Sequence, residues 1–169
     1  MSGITVSWTR AVGTGSTGGD GEYGSETASL DARQLWAQLL HKAENPVPYT
    51  PAITRCTILD RFPGGFTREI VRDGRPVFQR VEIGPGERIV FRQPGDPETE
   101  FITNEVGRDE DGRLALTISV RLAPGAAAKA LRESRLLEAA DAYFTDALHS
   151  AVEEIRATAG GFTTLSAVA

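Results

Sequence analysis

Four polar side chains stand out because the residues that alternate with them are apolar: Arg68, Gln79, Asn104 and Tyr143. A guanidinium, two amides and a phenol supply donors and acceptors that can polarise a carbonyl, stabilise an oxyanion or hand over a proton. What the chain lacks narrows the chemistry further. His41 and His149 are its two histidines and Cys56 its one cysteine, all on separate segments. No Ser-His-Asp or Cys-His arrangement can be assembled from them with any specificity, so catalysis, if present, is acid–base and orientational without a covalent intermediate. One cysteine excludes an intramolecular disulfide and a Cys-rich zinc site, and the expectation is a protein without metal or cofactor. His149 is expected on a solvated helix face and Cys56 as an ordinary buried strand residue.

Turn chemistry decides which way the polar four point. With Asp73-Gly74 as a two-residue turn, Arg72 opposes Arg75, Ile70 opposes Val77, Arg68 opposes Gln79 and Phe66 opposes Val81. That face is apolar, while Thr67, Glu69, Arg80 and Glu82 mark the other as solvated. Arg68 and Gln79 are then expected near an open rim with their polar ends in water, because long side chains extend readily to solvent. A second hairpin turns at Asp109 to Gly112. A type I turn with Gly112 left-handed and a bulge pairs Asp109 with Arg113, so Ile102, Asn104 and Val106 share a face with Leu116, Ile118 and Val120. A slip of one residue would bring in Phe101, Thr103 and Glu105 instead and leave a carboxylate on the apolar face, which favours the bulged register. Asn104 then sits in an apolar wall, either touching a ligand or bonded to backbone or buried water.

The elements that must position these residues follow from periodicity. A helix over Glu133 to Arg156 carries Leu137, Ala140, Phe144, Leu148, Ala151 and Ile155 as one stripe. Tyr143 lies about 100° from that stripe, at the border of whatever space the helix covers. The stripe fails upstream, which predicts a bend or a start near Ser134 after a flexible approach at Pro124-Gly125. An earlier helix spans Asp31 to Ala43, with Asp31 and Gln34 as a capping box, Leu30 and Leu35 as a hydrophobic staple, and Leu35, Trp36, Leu39 and Leu40 as its apolar face. Asn45-Pro46-Val47-Pro48 stops it. Ile4 to Thr9 alternates as a strand, and six more strand segments run about Ile53–Asp60, Phe66–Arg72, Pro76–Ile83, Arg88–Gln93, Glu100–Gly107 and Arg113–Leu122. The fold class is α+β: a curved antiparallel sheet of about seven strands wrapped around a long C-terminal helix, with an internal cavity.

The 169 residues, 40% of them apolar, suit one domain, read here as 1–160 with a flexible tail over 161–169. Gly13 to Ser29 has Tyr23 as its one large apolar residue and reads as a mobile Gly-rich loop. Its Gly13-Thr14-Gly15-Ser16-Thr17-Gly18 spacing lacks the βαβ setting of a dinucleotide site. A net charge of −5 with interleaved arginines argues against nucleic acid. The absence of a basic-then-apolar start and of ~20 consecutive apolar residues argues against secretion and membrane insertion, so the expected location is cytoplasmic.

This order of elements resembles the START-like, or SRPBCC, superfamily with its helix-grip fold. Within it the chain is similar to the AtaL-like family, on the strength of Val6-Ser7-Trp8, Gln34-Leu35-Trp36, Ala43-Glu44-Asn45-Pro46, Pro51-Ala52-Ile53-Thr54 and Ile102-Thr103-Asn104-Glu105-Val106. The resemblance implies a cavity for a hydrophobic small molecule and a setting in natural-product biosynthesis. The candidate ligand-binding residues are Trp36, Phe66, Arg68, Gln79, Asn104, Ile118, Tyr143, Phe144 and Leu148. Three functions stay open: binding or carriage of a hydrophobic or aromatic molecule; a metal-independent, polyketide cyclase-like or dehydratase-type enzyme using Arg68, Asn104 and Tyr143; and a non-enzymatic interaction module with a protein partner or a homodimer.

Overall fold

The computed structural model describes residues 3–12, 30–132 and 134–166, with the side chains of 130–140 and 159–166 outside the description. The Gly-rich segment from Gly13 to Ser29 therefore lies outside the described residues. The chain forms β1 (Thr5–Ala11), α1 (Ala32–Glu44), β2 (Ile53–Phe62), β3 (Gly65–Arg72), β4 (Arg75–Gly84), β5 (Arg88–Arg92), β6 (Thr99–Arg108), β7 (Leu114–Leu122), α2 (Pro124–Arg132) and α3 (Ser134–Ser166). Seven antiparallel strands make one sheet in the order β1-β7-β6-β5-β4-β3-β2. Consecutive strands from β2 to β7 are neighbours, and β1 pairs with β7, which sets the first strand beside the last. Helices α1 and α3 pack on this sheet, α1 over β5 and β6 and α3 over β1 and β7. This is the helix-grip arrangement expected from the sequence.

Local chemistry accounts for the register. Asp73 and Gly74 both have positive φ, 52° and 77°, as a two-residue turn matched to strand twist requires. Arg72 accordingly faces Arg75, Arg68 faces Gln79 and Phe66 faces Val81. In the second hairpin Gly112 has φ 75°, and the Asp109 backbone N–H donates to the Arg113 carbonyl at 2.9 Å. Asn104 pairs with Ile118 and Val106 with Leu116, so the bulged register holds and the slipped one does not.

Helix α1 starts at the expected cap. The Gln34 N–H donates to the Asp31 carboxylate at 2.8 Å and the Asp31 N–H to the Gln34 amide oxygen at 2.8 Å. Its buried residues Leu35, Gln38, Leu39 and Ala43 recur at helical spacing, and burial of each leucine contributes about 1.5–3 kcal/mol over exposure. Leu35, Leu39 and Ala43 join Phe66, Val81, Ile89, Phe91, Leu116 and Ile118 from the sheet and Leu148, Ala151, Val152 and Ile155 from α3 in one core.

Two expectations about the C-terminal part are corrected. Pro124-Gly125 opens helix α2 instead of forming a flexible approach, because proline has no N–H to leave unsatisfied at a helix start. The Ala127 N–H donates to the Ala123 carbonyl, and Ala127 is buried. The long helix runs beyond Arg156, with its backbone helical to Ser166.

Candidate functional site

Between the concave face of the sheet and α3 lies a pocket of about 70 Å³. Ile102, Asn104 and Ile118 come to it from β6 and β7, Phe91 from β5, and Arg68, Ile70 and Arg72 from β3. Gln79 lines it from β4, Lys42 from α1, and Tyr143, Phe144 and Ala147 from α3. A groove of about 410 Å³ shares Thr50, Tyr143 and Ala147 with the pocket and also meets Pro51, Ala52, Asp73, Asp146, His149 and Ser150. The pocket lies deeper, among buried Arg68, Ile70, Gln79, Asn104 and Ile118, and the groove is its mouth, among exposed Pro51, Asp73, Asp146 and His149, with Tyr143, 36% exposed, belonging to both.

Arg68 and Gln79 are buried at 4% and 3% exposure, which corrects the rim expectation. Solvent is not needed, because protein satisfies the guanidinium. Its Nε and Nη2 donate to the Gln79 amide oxygen at 3.0 and 2.7 Å, and Nη1 donates to the Ala43 carbonyl at 2.5 Å. Ala43 lies in the last turn of α1, where carbonyls lack helical partners and carry the negative end of the dipole. Arg68 therefore holds the end of α1 to the sheet. Burial pushes its pKa down to about 10, against an opposing upward influence of the neighbouring Cys56 thiol and with a smaller lowering by Arg72. The Cys56 thiol beside it is half-buried rather than fully buried, donates to the Glu44 carbonyl at 3.6 Å, and has its pKa raised by burial.

Asn104 faces a partner that the sequence reading missed. The Lys42 ammonium donates to the Asn104 Oδ1 at 2.7 Å. Lys42 keeps some accessible surface because it lines the pocket, yet protein surrounds its ammonium group. Burial first, and the charge of Arg68 second, push its pKa down to about 7. Phe91 lies under both cations, with its ring centre 5.9 Å from Lys42 Nζ and 4.9 Å from Arg68 Cζ. The signal was available: Lys42 falls seven residues after Leu35 and three after Leu39, on the buried face of α1.

The aromatic side of the mouth is fixed from β1. Trp8 stacks on Phe144 with ring centres 4.8 Å apart, and its Nε1–H donates to the Asp141 carboxylate at 2.8 Å. Tyr143 meets Phe144 edge-on at 5.1 Å. Of the sequence candidates, Arg68, Gln79, Asn104, Ile118, Tyr143 and Phe144 meet at the pocket. Phe66 and Leu148 belong to the core, and Trp36 packs against that core away from the pocket wall. His149 is exposed, on the groove. His41 Nδ1 lies 2.9 Å from the Tyr49 hydroxyl, which donates to Gln38 Oε1 at 2.6 Å; Tyr49 is pushed up to about 12, chiefly by burial. Among the described residues no group of three or more His, Cys, Asp or Glu could hold a metal ion, and no helix is long and apolar enough to cross a membrane.

Comparison with known proteins agrees with this architecture. The family model of AtaL, acetylaranotin biosynthesis cluster protein L, matches residues 23–161. A comparison with curated proteins returns no match. The aromatase/cyclase Zhui from Streptomyces sp. R1128 superposes with a TM-score of 0.55 at 13% identity, covering 94% of this chain and 93% of that one. A START superfamily protein from Mycobacterium smegmatis gives 0.52 at 16%, covering 89% and 98%. The di-domain ARO/CYC BexL from the BE-7585A biosynthetic pathway gives 0.57 at 13%, covering 91% of this chain and 49% of its own, so this chain spans about half its length. These likenesses show the START-like fold.

Proposed function

We propose, for a chain that belongs to the AtaL family, that it binds a hydrophobic or aromatic small molecule in the space between sheet and α3, in natural-product biosynthesis. The observation that carries this is the composition of the pocket wall: apolar Ile102, Ile118, Phe91 and Phe144 surround a small set of convergent polar groups, Lys42, Arg68, Gln79 and Asn104. Such a combination orients a ligand by a few hydrogen bonds while apolar contact supplies affinity. The inner pocket alone, at about 70 Å³, is smaller than the ~300–1,000 Å³ of a typical ligand site, so the ligand would extend into the groove past Tyr143. A cytoplasmic setting without cofactor goes with this reading.

The test closes the passage. Ala147 lines both spaces and is partly buried, so Ala147→Trp fills the throat with little change to the core. Wild type is expected to bind a fluorescent apolar dye with one-to-one stoichiometry and to release it to aromatic competitors, and Ala147→Trp to lose that binding with its circular dichroism unchanged. Equal dye binding by both would sink the reading.

A second reading, a polyketide cyclase-like or dehydratase-type enzyme, is favoured by Lys42. An amine held near neutral pKa beside Asn104 and Arg68 can exchange a proton at physiological pH. With Arg68 stabilising a developing oxyanion and the Tyr143 hydroxyl donating at the mouth, the pocket has the parts for enolisation and ring closure of a flexible substrate. Turnover of a poly-β-carbonyl substrate by wild type, lost in Lys42→Met, is the outcome this reading expects.

A further inference from the structure

The inner pocket has an unbalanced charge. Three of its lining side chains are cationic, Lys42, Arg68 and Arg72, and none is a carboxylate. None of the three takes part in an ion pair among the described residues. Their partners are neutral: Asn104 for Lys42, Gln79, the Ala43 carbonyl and the Cys56 thiol, kept protonated by burial, for Arg68, and Gln93 at 3.4 Å for Arg72. Amide and carbonyl oxygens satisfy hydrogen bonds without cancelling charge, so the burial cost of charging Lys42 and Arg68 meets no opposing charge until an anion arrives. The carboxylates of the neighbourhood, Asp73 and Asp146, lie on the outer groove. There they repel an acidic group at the mouth and favour it further in.

Resting on the reading of this pocket as a small-molecule site, we propose that its ligand is an aromatic or apolar carboxylic acid, bound as the carboxylate facing Lys42 and Arg68 with its apolar body beside Tyr143 in the groove. Size agrees with that orientation, since about 70 Å³ admits a head group and about 410 Å³ admits a body. Charge-assisted hydrogen bonds from an ammonium or guanidinium to a carboxylate are the stronger kind and gain most where the donor is buried, as Arg68 is.

The experiment compares naphthoate with its neutral isostere naphthamide on the full chain by titration calorimetry at about pH 6.5, where the acid is ionised. Naphthoate is expected to bind at least about tenfold more tightly than naphthamide, and Lys42→Met to reduce that advantage below about threefold. A second readout covers the case in which Lys42→Met does not fold. At about pH 8, naphthoate binding to wild type should take up protons, seen as a dependence of the measured heat on buffer ionisation enthalpy, whereas naphthamide binding should not. Naphthamide binding as well as naphthoate, an undiminished advantage in folded Lys42→Met, or no proton uptake overturns the acid inference and leaves the small-molecule reading standing. Binding of neither probe overturns both.

Discussion

The Lys42 ammonium and the Asn104 amide oxygen, 62 positions apart in the chain, lie 2.7 Å from one another and join the end of α1 to the middle of β6. Replacing Asn104 by leucine keeps the volume and removes the acceptor. The enclosed ammonium then loses its side-chain partner, which costs about 1–3 kcal/mol when a buried donor is left unmade. Asn104→Leu is expected to lower the urea midpoint accordingly and to lose affinity for naphthoate; a mutant as stable and as tightly binding as wild type would remove the residue from both roles.

Lys42 also predicts a pH dependence of stability. Its folded pKa is lowered to about 7 from 10.5, so between these values the unfolded chain holds a proton that the folded chain has released. Stability therefore rises with pH across that window. Asn104 on β6 accepts from Lys42 and the charge of Arg68 on β3 acts on it, while Arg72 on β3 and Tyr143 on α3 line the same pocket. Arg68, lowered to about 10, adds in the same direction above that value, while Tyr49, raised to about 12 from 10.0, opposes it there. The Cys56 thiol, raised by burial from its ordinary value of 9.0, opposes the rise as pH approaches that value, so the clean interval is from about pH 7 to about pH 8. Urea midpoints measured across it should rise for wild type and less for Lys42→Met.

The fold was legible because its local signals agreed. Asp31 with Gln34 marks the start of α1, and Asp73-Gly74 and Asp109 to Gly112 set the parity of two hairpins, and so the inward direction of Arg68, Gln79 and Asn104. What the parity could not show was depth. Whether Arg68 reaches solvent depends on what stands over the sheet, and the end of α1 stands there, with a carbonyl waiting for a donor. Lys42 was hidden for the opposite reason: lysine is rarely enclosed, so its place on the apolar face of α1 reads as a solvated exception. Trp36 shows the same limit, since helical spacing assigns it to the apolar side but not to the core or the pocket.

Arg68 is expected to be a structural residue as well as a ligand contact. Arg68→Ala leaves the Gln79 amide and the Ala43 carbonyl without their donor, and the loss should be about 2–4 kcal/mol, since a charged buried bond and a helix-end partner go together. The double mutant with Gln79→Leu should recover part of it, because the stranded amide is then gone. Chemical denaturation of the two singles and the double gives the coupling directly.

The stack of Trp8 on Phe144 is the tie that sets the aromatic wall of the mouth, joining the first strand to the long helix across most of the chain length. Its two parts can be separated. Trp8→Phe keeps a ring against Phe144 and removes the N–H bond to Asp141, whose carboxylate is exposed and finds water instead, so about 0.5–1 kcal/mol should be lost. Trp8→Ala removes the stack too, and in a cycle with Phe144→Ala the two rings should show a coupling of about 0.5–1.5 kcal/mol. Because Tyr143 meets Phe144 edge-on, Trp8→Ala should also loosen Tyr143 and weaken binding of naphthoate and naphthamide by the same factor, which distinguishes a change in the wall from a change in the charged end of the pocket. Titration calorimetry with both probes reads that factor, and a selective loss of naphthoate binding in this variant would show that the mouth and the inner pocket are not separable in this way.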